Sequence, residues 1–101
     1  MQMLLIVFRS SLEQDVLRAL ESLQVSGFTD LPRVFGIGEA GSAFSSFTWP
    51  GSNSMILAAL EAPQARAVVE GLRELRDRST RAQHGARVPL HVFVLPCDQA
   101  I

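Results

Sequence analysis

The feature that most constrains the fold is an apolar segment at the start of the sequence. Residues 1–8 are apolar except for Gln2, and the segment ends at the polar Arg9-Ser10-Ser11. A run of this length is typical of a strand with two apolar faces, whereas a surface helix would space its apolar residues three or four apart. We therefore predict a first strand over residues 1–8 that needs cover on both faces.

The remaining sequence alternates between helical and strand patterns. Ser11 and Gln14 have the spacing of a capping box, and the apolar residues after them predict a first helix over residues 12–24. Pro32 restricts the second strand to a sheet edge, to its first turn or to a bulge. The other predicted elements are strands over 28–35, 53–60 and 88–95, a helix that begins at 61–63, and a polar connector over 79–86.

This order of elements, βαββαβ, predicts an α+β ferredoxin-like sandwich, in which two helices cover one face of a four-stranded antiparallel sheet. The length of 101 residues predicts a single domain over residues 1–101. Two helices leave the second sheet face bare, and its apolar area would exceed the few hundred Å² usual for a monomer. We therefore expect an oligomer assembled through the sheets. In the first strand the two apolar sets are Met3, Leu5 and Val7, and Leu4, Ile6 and Phe8.

Composition excludes several functional classes. With 48% hydrophobic residues, 19% charged residues and a net charge of −1, the sequence is that of a soluble globular protein and does not favour nonspecific nucleic-acid binding. The apolar start lacks the flanks of a signal peptide, so we expect a cytoplasmic protein. All nine basic residues are arginines, and there is no tyrosine. These absences exclude mechanisms that use a Schiff-base lysine, a P-loop lysine or a tyrosine phenol as an acid.

Three residues are candidates for metal or nucleophilic chemistry, namely His84, His91 and Cys97. Their spacing matches no metal motif, and a single cysteine excludes both an internal disulfide and a thiolate-only zinc site. We expect His91 to be a partly buried strand histidine and Cys97 a small apolar residue at a sheet end. Metal binding by the three stays a minor hypothesis, and the sequence predicts no enzyme because no nucleophile motif is present.

A glycine-rich segment opens the longest predicted loop. Gly36, Gly38 and Gly41 form G-x-G-x-x-G, but a loop follows them where a dinucleotide-binding site needs a helix. Either these glycines permit turn geometry at a strand end, or their backbone N–H groups form an anion-binding nest. Arg81 and Arg87 flank loops and either bind a phosphate or carboxylate or keep the surface soluble.

The long loop over residues 38–52 carries three aromatic residues, Phe44, Phe47 and Trp49. They either fold back into a small hydrophobic cluster or present an aromatic surface to a partner, since exposed aromatic residues are favoured at interface hot spots. Loops of this length without predicted secondary structure are often functional.

Two patches resemble the trimeric nitrogen-regulatory PII-like signalling proteins. They are Val25-Ser26-Gly27-Phe28-Thr29 and Val34-Phe35-Gly36-Ile37-Gly38, and the order of elements agrees over nearly the whole sequence. The resemblance implies a homotrimer that binds an adenine nucleotide in clefts between subunits. It also implies that the loop docks on a target protein such as a membrane transporter, an enzyme or a regulator.

The resemblance places Gly36 and Gly38 at the cleft and residues 38–52 in the signalling loop, whereas Arg81 and Arg87 are candidates for their charge and match no family motif. Ligand-binding candidates are Gly36, Ile37, Gly38, Glu39, Arg81 and Arg87, and partner-binding candidates are Phe44, Phe47 and Trp49. The sequence departs from the family at Glu39-Ala40, where the family has Arg-Gln, and at 80–88, which retains one glycine and no lysine. The predicted effector is therefore a nucleotide or another anion. The alternative is a divalent-metal-binding protein of the CutA type, which shares the trimeric fold.

Overall fold

The computed structural model describes residues 1–34, 53–82, 84–85 and 88–101, and the backbone of the paired residues 37–38 and 41–42. A 3-10 turn, Ser10–Leu12, joins the first strand to the first helix. The elements are β1 (Gln2–Arg9), α1 (Glu13–Ser22), β2 (Thr29–Val34), β3 (Ile37–Gly38), β4 (Gly41–Ser42), β5 (Asn53–Leu60), α2 (Ala62–Ala82) and β6 (Leu90–Pro96).

Four of the strands form one antiparallel sheet in the order β2-β5-β1-β6. Both helices pack on the same side of this sheet, where their apolar residues form a single core with the strands. Leu4 and Ile6 of the central strand are fully buried there, as are Val16 of α1 and Val68 of α2. This is the predicted α+β ferredoxin-like sandwich.

The start of α1 corrects one prediction. Ser11 does not cap the helix, because Ser10–Leu12 form the 3-10 turn and Leu12 is the residue before α1, with no side-chain cap. The Ser10 hydroxyl instead hydrogen bonds the buried Ser54 hydroxyl at 3.0 Å. The turn already directs the end of β1 into the helix, and the Glu13 N–H donates to the Ser10 carbonyl. Backbone geometry therefore replaces the predicted capping box.

The two helices end in the same way, and neither end uses the residue type that sequence favours. After α1, Gln24 has a φ of 60°, and the N–H groups of Gln24 and Val25 donate to the carbonyls of Glu21 and Leu20. After α2, His84 has a φ of 57°, and the N–H groups of His84 and Gly85 donate to Arg81 and Thr80. Both patterns are Schellman motifs, in which glycine is the common left-handed residue. The connector predicted from residue 79 therefore begins later, because α2 continues to Ala82.

The edge strand β2 contains the irregularity that Pro32 predicts. The pairing of β2 with β5 shifts register between Leu31 and Val34, and Arg33 in this bulge has a φ of 61°. An edge position and a bulge are both compatible with a residue that lacks an N–H group. The bulge lies immediately before the glycine-rich segment.

Candidate functional site

The sheet face opposite the helices is lined by apolar side chains from all four strands. Register and the alternation of side chains place one residue from each strand in every row across it. The central row is Thr29, Leu57, Leu5 and Phe93, in strand order. We call this surface the open face. Its members are Thr29, Leu31, Met55, Leu57, Ala59, Met3, Leu5, Val7, His91, Phe93 and Leu95, with Arg9 and Asn53 at one end.

Burial alternates between the two faces along the central strands β1 and β5. Leu4, Ile6 and Phe8 are at most 1% exposed under the helices. On the open face Phe93 is 56% exposed and Leu95 is 47% exposed. Water-exposed aromatic and aliphatic side chains in a contiguous patch mark an interaction surface. The prediction that both strand faces are apolar is confirmed, and the helices cover only one.

The glycine-rich segment contains a short strand pair that the sequence did not predict. Gly38 pairs with Gly41 and Ile37 pairs with Ser42, so two residues, 39–40, separate β3 from β4. The predicted loop over 38–52 therefore includes β4 and the end of β3. Gly36, Glu39, Phe44, Phe47, Trp49 and Arg87 lie outside the described residues, and their predicted roles stay predictions.

Arg81 lies in the last turn of α2 with an exposed side chain. The carbonyl of Arg81 accepts the hydrogen bond from the His84 N–H at 3.1 Å, which ties the residue to the turn that ends the helix. A cation at this end of a helix is also favoured by the helix dipole. The structure thus gives Arg81 an accessible position at the end of α2, and its binding role stays a prediction.

The three candidate metal ligands occupy different places. His84 is exposed in the turn after α2, and His91 is on β6, where its ring stacks on Phe93 with 6.5 Å between centroids. Cys97 is half-buried after β6, and its N–H donates to the Met1 carbonyl. Within the described ranges no three His, Cys, Asp or Glu side chains are grouped to hold a metal ion. In the single chain His91 is exposed, which differs from the expected partial burial because the helices do not cover this face.

Glu13 and Asp30 form an ionisable pair that the sequence does not predict. Glu13, the first residue of α1, interacts with Asp30 on β2, although 17 positions separate them in the sequence. A side-chain hydrogen bond to Asp30, then burial, then repulsion from the Asp30 charge raise the pKa of Glu13. Oε1 of Glu13 is buried without a hydrogen-bond partner among the described atoms. Only the packing of α1 against an edge strand brings these two carboxyl groups together.

Comparison with known proteins identifies the class. A family model described as "Nitrogen regulatory protein P-II" matches residues 1–101. The chain belongs to this family, as the glycine-containing patches predict. It is therefore a PII-like signalling protein with the ferredoxin-like fold. No relative among the curated proteins matches the sequence.

Solved structures agree on the fold. CPII from Thiomonas intermedia K12, a nitrogen regulatory PII-like protein bound to ADP, AMP and bicarbonate, has a TM-score of 0.70 and 20% identity, covering 93% of this chain and 82% of CPII. A PII-like signalling protein from Thermus thermophilus has a TM-score of 0.58 and 18% identity, with 93% and 83% coverage. Among the described helices none is long and apolar enough to cross a membrane.

Proposed function

We propose that this protein is a homotrimeric, non-enzymatic regulator. It binds a nucleotide or another small anion at clefts between subunits and controls a target protein through the loop over residues 38–52. The observation that carries the proposal is the match of the P-II family over residues 1–101. The open face and the position of Arg81 support it independently.

The open face supports the assembly. Its exposed apolar side chains include Phe93, Leu95 and Leu31, and they line one continuous surface across four strands. Burying a fully exposed side chain of this kind contributes about 1.5–3 kcal/mol to the free energy of association. The contribution is proportionally smaller for these side chains, because they are only partly exposed in the single chain. Other copies of the same chain present the same apolar surface. A closed symmetric assembly would bury the open face of every subunit.

The effector cleft is proposed at Gly36, Ile37, Gly38 and Glu39, with Arg81 and Arg87 as the cations. Glycines allow an anion to approach backbone N–H groups closely, and arginine binds phosphate or carboxylate in a bidentate fashion. CPII, a structural neighbour, is bound to ADP, AMP and bicarbonate, which are all anions. We propose the same chemical class of effector for this chain, with an adenine nucleotide as the first candidate.

Control of the target is proposed for the loop. Effector binding at its glycine-rich base would bias the ordering of residues 38–52 and so expose or hide Phe44, Phe47 and Trp49. A membrane transporter, an enzyme or a regulator of nitrogen metabolism is a target of the kind expected for the family. Because the aromatic side chains form the contact, a target surface with an apolar pocket fits best.

A fluorescence titration tests the effector. Trp49 is the only tryptophan, so its emission reports on the loop without interference. We expect ADP, AMP or ATP to change the emission and raise the melting temperature, with Arg81→Gln weakening the response about tenfold, as loss of one charge-assisted contact predicts. Arg18→Gln, at an exposed site on α1, is the matched control.

Two results would contradict the effector assignment. The first is the absence of any response to adenine nucleotides and to bicarbonate at millimolar concentration. The second is a response to zinc or copper alone, which would favour the CutA-type alternative. An Arg81→Gln variant that binds as tightly as the native protein would remove Arg81 from the site while leaving the effector class intact.

A further inference from the structure

The two edges of the four-stranded sheet are β6 and β2, and among the described residues neither edge pairs with a further strand. The Arg9 N–H donates to the Pro89 carbonyl, so every second residue counted from Pro89 turns its backbone toward β1 and Val92 turns its backbone outward. The same alternation, carried across β5, leaves the backbone of Asp30 facing outward on β2. Both edges therefore present backbone N–H and C=O groups to a neighbouring molecule.

Asp30 and Val92 lie at the two ends of one row across the sheet, which runs through Ile56 and Ile6. Ile6 and Ile56 are fully buried under the helices, so the side chains of this row point to the helix-covered side. The side chain of Asp30 therefore belongs to the same layer of the molecule as α2, although it lies at the opposite edge.

The β6 edge is cationic on this side of the sheet. A groove of about 220 Å³ between α2 and β6 is lined by Val92, and its charged lining residues are Arg73 and Arg76. Their side chains are 54% and 48% exposed, and each contacts a carboxylate of its own helix, Glu70 at 2.6 Å and Asp77 at 3.5 Å. Exposed pairs of this kind contribute little to stability, and a guanidinium has five N–H donors. Both arginines can therefore bind a second carboxylate.

The β2 edge is acidic. Asp30 is exposed and interacts with Glu13 at the start of α1. Two turns further along α1, Glu21 is the charged residue that lines a second groove, of about 540 Å³, beside Phe28. None of the described ion pairs joins these three carboxylates to an arginine. The one cation within β2 is Arg33, in the bulge near the other end of the strand.

We propose that copies of this protein meet edge to edge, with the cationic β6 edge of one copy against the acidic β2 edge of the next, so that Arg73 and Arg76 of one copy pair with Asp30 of the next. The proposal rests on the proposed trimer and names the contact that closes it. In a closed ring, rotation carries each edge onto its equivalent, so two different edges meet at every junction. Each copy then supplies both halves of the charge complementarity.

The position of Asp30 fits this contact. Rotation about a closed symmetry axis adds no shift along that axis. With the strands along the axis, Asp30 of one copy therefore arrives at the level of Val92 of the next, in the row whose side chains share a layer with Arg73 and Arg76. The open faces of all copies point toward the axis in this arrangement, and the helices point outward.

Chemical cross-linking tests which edges meet. Every variant carries Cys97→Ser, which removes the native thiol. A chain with both Asp30→Cys and Arg76→Cys, treated with a short bis-maleimide, should give covalent species of two and three 11.0 kDa chains on a denaturing gel. A reagent shorter than three strand spacings, about 14 Å, does not join the two edges within one chain. Each single-cysteine variant should stay uncross-linked, because equivalent edges do not meet.

Charge reversal tests the ion pairs. Asp30→Arg should weaken association at least about tenfold in sedimentation over a range of protein concentrations, because like charges then face one another at every junction. The combination of Arg73→Glu and Arg76→Glu should do the same. Joining all three substitutions in one chain restores opposite charges and should recover most of the native affinity. Asp15→Arg, an equivalent reversal on α1, is the control that should associate as the native protein does. Circular dichroism verifies that each variant is folded.

The outcomes separate the edge contact from the assembly itself. A native protein that sediments as a single chain overturns the proposed trimer, and the edge contact with it. A native trimer in which a single-cysteine variant cross-links, or the double-cysteine variant does not, overturns the edge contact alone and leaves the proposed function standing. Reversals that leave association unchanged, or that are not rescued when combined, overturn the pairing of Arg73 and Arg76 with Asp30.

Discussion

A methyl group added to Gly71 of α2 would lie 2.8 Å from Cδ1 of Leu23, at the end of α1. The absence of a side chain at Gly71 lets Leu23 pack directly against the second helix. This contact is one of those between α1 and α2 on the helix-covered face of the sheet.

The contact between Leu23 and Gly71 predicts a coupled pair of substitutions. In the native background Gly71→Ala should change the free energy of unfolding by less than about 0.5 kcal/mol, because better helix propensity is offset by overlap with Leu23. In a Leu23→Ala background the same substitution should stabilise by about 1 kcal/mol. Urea unfolding at fixed protein concentration measures both. Equal effects in the two backgrounds would show that Leu23 and Gly71 are not coupled. Ala67→Gly, on the same helix, measures the effect of helix propensity alone.

The left-handed Gln24 predicts a stabilising substitution. Gln24→Gly should raise the free energy of unfolding by about 1 kcal/mol, because glycine adopts a positive φ without the steric cost of a side chain. The Gln24 carbonyl would still accept the hydrogen bond from Gln64, since that contact is to the backbone. Gln14→Gly, within α1, should instead destabilise by about 1 kcal/mol. A destabilised Gln24→Gly variant in thermal unfolding would argue against a strained helix end.

The pair of Glu13 and Asp30 predicts a pH-dependent stability difference. The folded state raises the pKa of Glu13, so folding disfavours the ionised carboxylate. The contribution of Glu13 to the free energy of unfolding is therefore lost as pH rises through its folded-state pKa. Glu13→Gln should therefore melt at a higher temperature than the native protein at neutral pH. The difference should vanish below pH 4.5, the ordinary pKa of this carboxyl group. There the protonated Glu13 is as neutral as the glutamine that replaces it.

Melting curves over this pH range decide the role of Glu13. Glu21→Gln, on an exposed site of the same helix, is the matched control and should show no comparable difference. A Glu13→Gln variant that is less stable than the native protein at neutral pH would show that the carboxylate is stabilised by its surroundings, opposite to the stated direction.

The open face predicts a substitution that separates assembly from folding. Phe93→Glu should convert the proposed trimer to a folded monomer, because Phe93 is 56% exposed in the single chain and a carboxylate in a covered apolar face is costly. Light scattering measures the mass and circular dichroism the fold. Ala67→Glu, on the exposed side of α2, should stay trimeric. A Phe93→Glu trimer would place the subunit contact elsewhere.

Local signals predicted much of the fold. The strand over Asn53–Leu60 has the predicted bounds, because a short apolar run between a polar loop and Glu61 is a property of residues adjacent in sequence. Pro32 predicted an edge or a bulge, and β2 has both, since a missing N–H group is a property of the residue itself. The family resemblance carried by Gly27, Gly36 and Gly38 is likewise confirmed over the whole chain.

Other features required neighbours that are distant in sequence. The Ser11 capping box failed because the 3-10 turn after β1 places Leu12 before the helix, with Ser10 bonded to Ser54. Gln24 and His84 occupy left-handed positions that residue preference assigns to glycine. Each of these features depends on the direction that the chain takes after a strand or a helix. The preferences of single residues do not specify that direction.

The sequence by itself determined the order of elements and the presence of two apolar strand faces, because both follow from the spacing of apolar residues along the chain. Only the tertiary structure decided which face the helices cover. It also decided that Glu13 meets Asp30, and that His91 lies beside Phe93 on the uncovered side. These are contacts and exposures in space, and they are set by how the helices and strands pack against one another.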